Sequence, residues 1–263
     1  MATSAAFFDL DKTIIAKSST LAFGKPFYQS GLINRRTVLR SAYAQFVFAL
    51  AGADEDQMNR MRSFITDMCI GWDVAQVRDV VAETLHDIID PLVYDEAVGL
   101  IERHKEDGRE VVIVSSSGAE VVEPIGATVG ADEVIATQMV VKDGKYTGDI
   151  ARYVYGVGKA EAIREFAEKR GYALADCHAY SDSITDLPML DEVGHPVVVN
   201  PDRALRKAAV ERGWPVLEFS NAVPLHERLR APKPSATLTL AGAGVAAASL
   251  AWYASRRRRG GPA

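Results

Sequence analysis

Cysteine is scarce: Cys69 and Cys177 are the only two in 263 residues. That excludes a disulfide framework and a cysteine-rich zinc site, and it favours a reducing compartment. Histidine is sparse as well. His86, His104, His178, His195 and His226 show no metal-ligand spacing and receive no role. An excess of positive charge is also missing. The formal net charge is −5, which argues against nucleic acid as the main partner. No basic stretch precedes a long apolar run at the N-terminus, so a secretory signal peptide is not expected and the catalytic part is expected in the cytoplasm. With 48% apolar and 25% charged residues, global disorder is excluded.

Short apolar runs alternate with helical patterns instead. Ala5 to Phe8, Val111 to Val114, Glu133 to Ala136, His178 to Ser181 and Pro196 to Val199 read as buried strands. Between them, Ala119 to Val129, Lys159 to Arg170 and Arg203 to Arg212 read as helices. Apolar strands separated by such helices imply a doubly wound, Rossmann-like parallel sheet. Asp143-Gly144 between two β-type runs signals a hairpin flap. The helical patterns at Thr37 to Leu50, Gln57 to Cys69 and Asp73 to Ile89 predict a helical cap inserted at 18–105, with the α/β core at 1–17 and 106–222. An insertion after a strand's C-terminal end overhangs the place where open α/β sheets bind ligands.

The C-terminus departs from the average. After a Pro-containing linker (223–234), residues 235–254 carry no formal charge, and Arg256 to Arg259 follow. About twenty helical residues match a bilayer core, and Trp252 and Tyr253 suit an interface. A membrane-spanning or membrane-associated helix is therefore expected at 235–255, with a basic tail at 256–263. A disordered Ala/Gly tail, a core helix and a helix lying in the interface are the rival readings.

Asp9 and Asp11 stand two residues apart just past the first strand, a spacing that is expected to put both on the same side. Two neighbouring carboxylates repel, so a cation or a lysine is expected beside them. Read alone, Asp9 has the rival reading of a helix N-cap. Three later positions add support. Ser115 ends the strongest strand in a turn rich in N–H groups, which suits a phosphate oxygen. Lys159 opens a helix after Gly156-Val157-Gly158, without the spacing of a phosphate-binding P-loop. Asp182 and Asp186 follow another strand. Asp186 alone would be an ordinary N-cap, whereas Asp182 has no such local role.

Taken in order, Asp9-x-Asp11-x-Thr13, Ser115, Lys159 and Asp182-x-x-x-Asp186 resemble the four motifs of the haloacid dehalogenase superfamily of phosphohydrolases. The branch is the subfamily IB group similar to phosphoserine phosphatase, and the likeness covers about residues 5–220. The resemblance implies a phosphomonoesterase with Asp9 as nucleophile, forming an aspartyl-phosphate, and Asp11 as general acid/base. It implies Mg²⁺ held by the Asp9 carboxylate, the Asp11 main-chain carbonyl and Asp182. Ser115 and Lys159 then bind the phosphoryl group, and Asp186 supports Lys159 and the metal.

Two positions depart from the pattern. Lys12 stands where small residues are common in relatives; its side chain is expected in solvent, with a reach toward a substrate anion as the rival reading. Ser18 stands where phosphoserine phosphatases carry the glutamate that recognises the substrate's ammonium, which weakens a phosphoserine reading. Phe23, Phe27, Tyr28, Tyr43, Phe46 and Phe48 are expected to form the cap's core, with an apolar substrate pocket as the lesser reading. Arg35, Arg36 and Arg40 read as a solvated face, and the two cysteines as packing residues. Three functional readings follow. One is a membrane-attached phosphatase for a lipid-linked or amphiphilic phosphate. The second is a phosphatase for phosphoserine or another soluble metabolite. The third is a catalytically idle regulatory protein.

Overall fold

The computed structural model describes residues 3–33, 63 and 66–222. Among them, seven strands form one sheet: β1 (Ala5–Phe8), β2 (Glu110–Gly118), β3 (Glu133–Lys142), β4 (Lys145–Arg152), β5 (His178–Ser181), β6 (His195–Val199) and β7 (Val216–Leu217). Their order is β4-β3-β2-β1-β5-β6-β7. Every neighbouring pair is parallel except β3 and β4, which form the antiparallel hairpin. At its tip Asp143 and Gly144 have φ of 51° and 75°. Positive φ at both central residues is the turn whose twist suits a two-residue hairpin, which is why Asp-Gly stands there.

The central strands β1, β2 and β5 are buried on both faces because helices cover both. On one side Ala6, Phe8, Val111 and Ile113 join Ala97, Val98 and Ile101 of α4 (Asp95–Glu106) and Val122 and Ile125 of α5 (Ala119–Val129). The alternate set, Ala5, Phe7, Val112, Val114 and Ala179, packs on Ile163 of α6 (Val157–Arg170), Met189 of α7 (Leu187–Asp191) and Leu205 of α8 (Arg203–Arg212). Phe7 is fully buried, so truncating it to Ala would cost about 3–5 kcal/mol.

The chain leaves the sheet at residues 14–16 and returns at 92–94, where Ala16 N–H donates to Leu92 C=O (2.8 Å) and Tyr94 N–H to Ile14 C=O (2.9 Å). Between these crossings lie the short α1 (Ser19–Ala22) and α2 (Gly24–Gln29) and the long α3 (Val74–Ile89), capped by the Asp73 carboxylate on Gln76 N–H. Residues 95–105, counted with the inserted helices from sequence, lie against the sheet, because α4 carries its own apolar stripe. Phe23 and Phe27 are buried, with Phe27 edge-on to Trp72. Tyr28 is exposed. The inserted segment is tied to the hairpin by backbone pairs: Gly71 N–H to Tyr146 C=O, Tyr146 N–H to Trp72 C=O, and Val74 N–H to Gly144 C=O. Cys69 and Cys177 are buried free thiols.

The expected helix at Thr37 to Leu50, most of Gln57 to Cys69, the arginines 35, 36 and 40, and the aromatics 43, 46 and 48 lie outside the described residues. So do the linker at 223–234, the charge-free stretch at 235–255 and the basic tail at 256–263. Among the described residues, no helix is long and apolar enough to cross a membrane.

Candidate active site

The register pairs Phe8 with Tyr180, and Asp9 N–H donates to Tyr180 C=O at 2.9 Å. Asp9 and Asp182 therefore leave adjacent parallel strands at the same, C-terminal end. The chain proceeds from β1 to β2 on one side and later places β5 on the other. Such a switch point opens a crevice beyond the strand ends, the usual ligand site of an open α/β sheet.

Lys159 reaches this crevice from the first turn of α6. The entry to that helix explains its two glycines. Gly156 has φ 54° and ψ −119°, outside the regions open to other residues. A Cβ on Gly158 would collide with the Tyr153 carbonyl oxygen. The Lys159 ammonium donates to Asp9 Oδ1 at 2.5 Å and to Asp186 Oδ2 at 2.7 Å, and its side chain is 2% exposed. Burial draws its pKa down, but Asp186 and Asp9 outweigh that and lift it, so it stays charged. Asp186 stands at the N-cap of α7 yet makes no side-chain cap; its carboxylate serves Lys159 and accepts from Ser181 Oγ at 2.7 Å.

Asp9 is buried, and burial pushes its carboxyl up to about 8 against the pull of Lys159, with Asp186 and Asp11 adding to the rise. Asp182 is pushed up to about 6, again chiefly by burial, while Lys12 draws it down. Among the described residues the Asp182 carboxylate accepts no hydrogen bond, although the residue is only 7% exposed. Lys12 is exposed, and its φ of 61° is a left-handed conformation that costs a lysine about 1–2 kcal/mol.

Asp9 and Asp11 do not share partners. The strand ends at Phe8 and the chain turns at Lys12, so the alternation of side chains lapses before Asp11. Asp11 Oδ1 accepts from Ser19 N–H at 2.8 Å, and Oδ2 accepts from Ser117 Oγ at 3.4 Å. Ser117 Oγ in turn accepts from Ser19 Oγ at 2.9 Å. Ser115 is buried at the same end of the sheet, its Oγ accepting from Ser117 N–H at 3.2 Å. Thr13, which closes the first motif, has a buried hydroxyl without a hydrogen-bond partner among the described residues.

Lys159, Asp9 and Asp186 are thus joined directly; Asp11 adds to the rise of Asp9, and Asp182 feels both Asp186 and Lys159. Sequence reading passed over Ser117, Ser19 and Ser181. Ser181 had a signal, as the residue directly before Asp182 on a strand end. Ser19 and Ser117 had none, because 98 residues separate them.

Among the described residues no group of three or more His, Cys, Asp or Glu side chains is arranged to hold a metal. The expected set needs only two carboxylates and one main-chain carbonyl. Its chemistry fits a small hard cation: Asp182 is a buried carboxylate that accepts no hydrogen bond among the described residues, and Asp9 gives Lys159 only one oxygen.

A family model described as haloacid dehalogenase-like hydrolase matches residues 6–191, and the chain belongs to that family. It is a hydrolase with the α/β fold of its relatives. The chain is 62% identical over 259 residues to a protein of Mycobacterium tuberculosis (strain ATCC 25618 / H37Rv) named a probable phosphatase, covering 98% of this chain and 90% of the relative. It is 61% identical to the inhibition of morphological differentiation protein of Streptomyces azureus, covering 97% and 94%. A phosphoserine phosphatase of the same M. tuberculosis strain is 35% identical, covering 97% and 82%. A crystal structure of a protein of unknown function from Bordetella pertussis Tohama I superposes with a TM-score of 0.73 at 26% identity, covering 82% and 99%.

Proposed function

We propose that this chain, a phosphatase of the haloacid dehalogenase-like family, hydrolyses phosphomonoesters through an aspartyl-phosphate on Asp9. The observation that carries this is the Lys159 ammonium shared between Asp9 and Asp186, with the buried Asp182 carboxylate close enough to feel both Lys159 and Asp186. An Asp9 oxygen attacks phosphorus while the ester P–O bond breaks, and Asp11 gives its proton to the departing alkoxide. A water then attacks the acyl phosphate, Asp11 takes its proton, and inorganic phosphate leaves. Lys159 and the Ser115 hydroxyl offset the charge that gathers on the equatorial phosphoryl oxygens.

Asp9, Asp182 and the Asp11 carbonyl would hold Mg²⁺, which supplies positive charge for the phosphoryl group when bound. Its charge also favours ionised Asp9, whose carboxyl burial otherwise holds near 8. The test is Mg²⁺-dependent turnover across a panel of phosphomonoesters, with acid-quenched protein carrying phosphate label in the parent and none in Asp9→Asn. Turnover retained by Asp9→Asn would sink the mechanism.

For the substrate, we read the charge-free stretch at 235–254 with its arginines as a membrane attachment, which favours an amphiphilic or lipid-linked phosphate. Phosphoserine is the second reading. It is favoured by the 35% identical phosphoserine phosphatase and opposed by Ser18 in place of a carboxylate. Comparing the full chain with residues 1–230 on both substrates separates the two. Loss of lipid-phosphate turnover on truncation supports the first, and submillimolar saturation by phosphoserine supports the second.

A further inference from the structure

The loop that carries Asp182 is gripped by a residue outside the four motifs. Asp202 precedes α8, and its Oδ1 accepts from Leu205 N–H at 2.8 Å, an ordinary helix N-cap. Its other oxygen does something a cap does not require: Oδ2 accepts from Ile184 N–H at 2.8 Å. Its own backbone N–H donates to the Asp182 carbonyl at 2.8 Å. One residue thus holds the peptide groups on both sides of Ser183, while the Asp182 carboxylate accepts no hydrogen bond among the described residues.

The cost of this arrangement is informative. Asp202 brings a second negative charge near Asp182 and adds to the rise in its pKa. A serine or asparagine would cap α8 as well without that repulsion. The carboxylate is explained by its second contact, since two opposed oxygens can each accept from a backbone N–H. The turn before it is braced too. Asn200, at φ 43°, exchanges both side-chain amide hydrogen bonds with the backbone of Phe219.

We infer that Asp202 is a positioning residue for cation binding: it fixes the Asp182–Ile184 backbone and so the Asp182 carboxylate that would hold the cation. The inference rests on the metal-dependent reading of the site given above. Partners that orient a ligating carboxylate are typically worth about 10–100-fold in metal affinity.

Two variants of the full chain test it. Asp202→Ser keeps a capping oxygen for Leu205 but cannot also reach Ile184. Ile184→Pro deletes the donor and leaves Asp202 intact. Ser183 before it is already extended, at φ −114° and ψ 139°, and the first position of a helical turn tolerates proline. Mg²⁺ alone is titrated, read by the shift it gives in thermal midpoint and by calorimetric heat, beside the Mg²⁺ dependence of turnover. Each variant should need about 10–100-fold more Mg²⁺ for half-saturation, with a metal-free midpoint close to the parent's. A folded Asp202→Ser with parental half-saturation overturns the inference and leaves Asp202 a helix cap. If that variant does not fold, Ile184→Pro decides on the same criterion. A parent that binds no Mg²⁺ sinks the metal-dependent reading and this inference with it. A parent that binds Mg²⁺ no better than both variants sinks this inference alone.

Discussion

Lys159 Nζ stands 2.5 Å from Asp9 Oδ1, with side-chain exposures of 2% and 9%. Asp186 lies on the ammonium's other side at 2.7 Å. Two buried carboxylates therefore depend on one cation. Lys159→Met would leave both without their counter-charge, and removing one partner of a buried pair costs about 3–5 kcal/mol. The expected result is a lowered urea midpoint together with loss of phosphatase turnover. Parental stability in Lys159→Met would show that the carboxylates are relieved by water or by protonation.

Asp182 predicts the opposite sign. Its carboxyl titrates near 6 when folded, against an ordinary 3.8, so the folded state disfavours its charge. The stability linked to this group is full below pH 3.8 and is lost as pH rises through about 6. Asp182→Asn should therefore stabilise the metal-free protein at pH 8 and matter little at pH 4. The same change should abolish stabilisation by added Mg²⁺. Thermal unfolding in EDTA and in Mg²⁺ at both pH values checks this, and an Asp182→Asn less stable than the parent at pH 8 would contradict it.

The other end of the sheet gives an acid-side effect. His104 sits between two groups: one ring nitrogen meets Tyr180 OH at 2.8 Å and the other meets Arg109 Nη1 at 3.2 Å. His178 packs at 4.8 Å from it and His195 stacks at 4.5 Å from His178. Burial first, then His178 and Arg109, lower His104 to about 4, with Asp107 opposing. His178 is lowered to about 4 by burial, His195 and Arg109, and its Nδ1 has no partner. Both folded values lie below the unfolded 6.5, so their contribution is intact above pH 6.5 and is lost as pH falls toward 4. Across that window this histidine loss opposes the gain from Asp182 and Asp9, whose raised carboxyls bind protons in the folded state first. His104→Gln should flatten the loss, and an unchanged slope would rule out His104 as a source.

Much of this was legible because local chemistry decided it. Ala5 to Phe8 and His178 to Ser181 form strands with the bounds their apolar runs indicate. Asp143-Gly144 makes a turn with positive φ at both positions, which an Asp-Gly pair readily adopts. What was not legible depends on contacts distant along the chain. Val216–Leu217 is too short to show alternation and becomes a strand only because β6 offers an edge. The separate fates of Asp9 and Asp11 follow from where the strand stops, which spacing does not reveal. Asp186 carries the pattern of a cap, but a buried ammonium across the crevice binds its carboxylate more strongly than an exposed N–H would.

Asp11 offers the cleanest separation of chemistry from folding. Its Oδ1 holds Ser19 N–H and its Oδ2 faces the Ser117 hydroxyl. Asp11→Asn can keep the first contact through its carbonyl oxygen. At the second, its NH₂ can donate to Ser117 Oγ once that hydroxyl turns its proton elsewhere, so α1 should stay docked and thermal stability should change little. The amide has no proton to give an alkoxide and cannot take one from water. Turnover should fall about 10²–10⁴-fold, the range for loss of a general acid/base. Substrates with a good leaving group need less protonation, so p-nitrophenyl phosphate should lose less in the first step than an alkyl phosphate. Labelled Asp9 should then accumulate, because water attack still lacks its base. Equal losses on both substrates with no accumulation would place Asp11 outside proton transfer and leave it a tether for the first inserted helix.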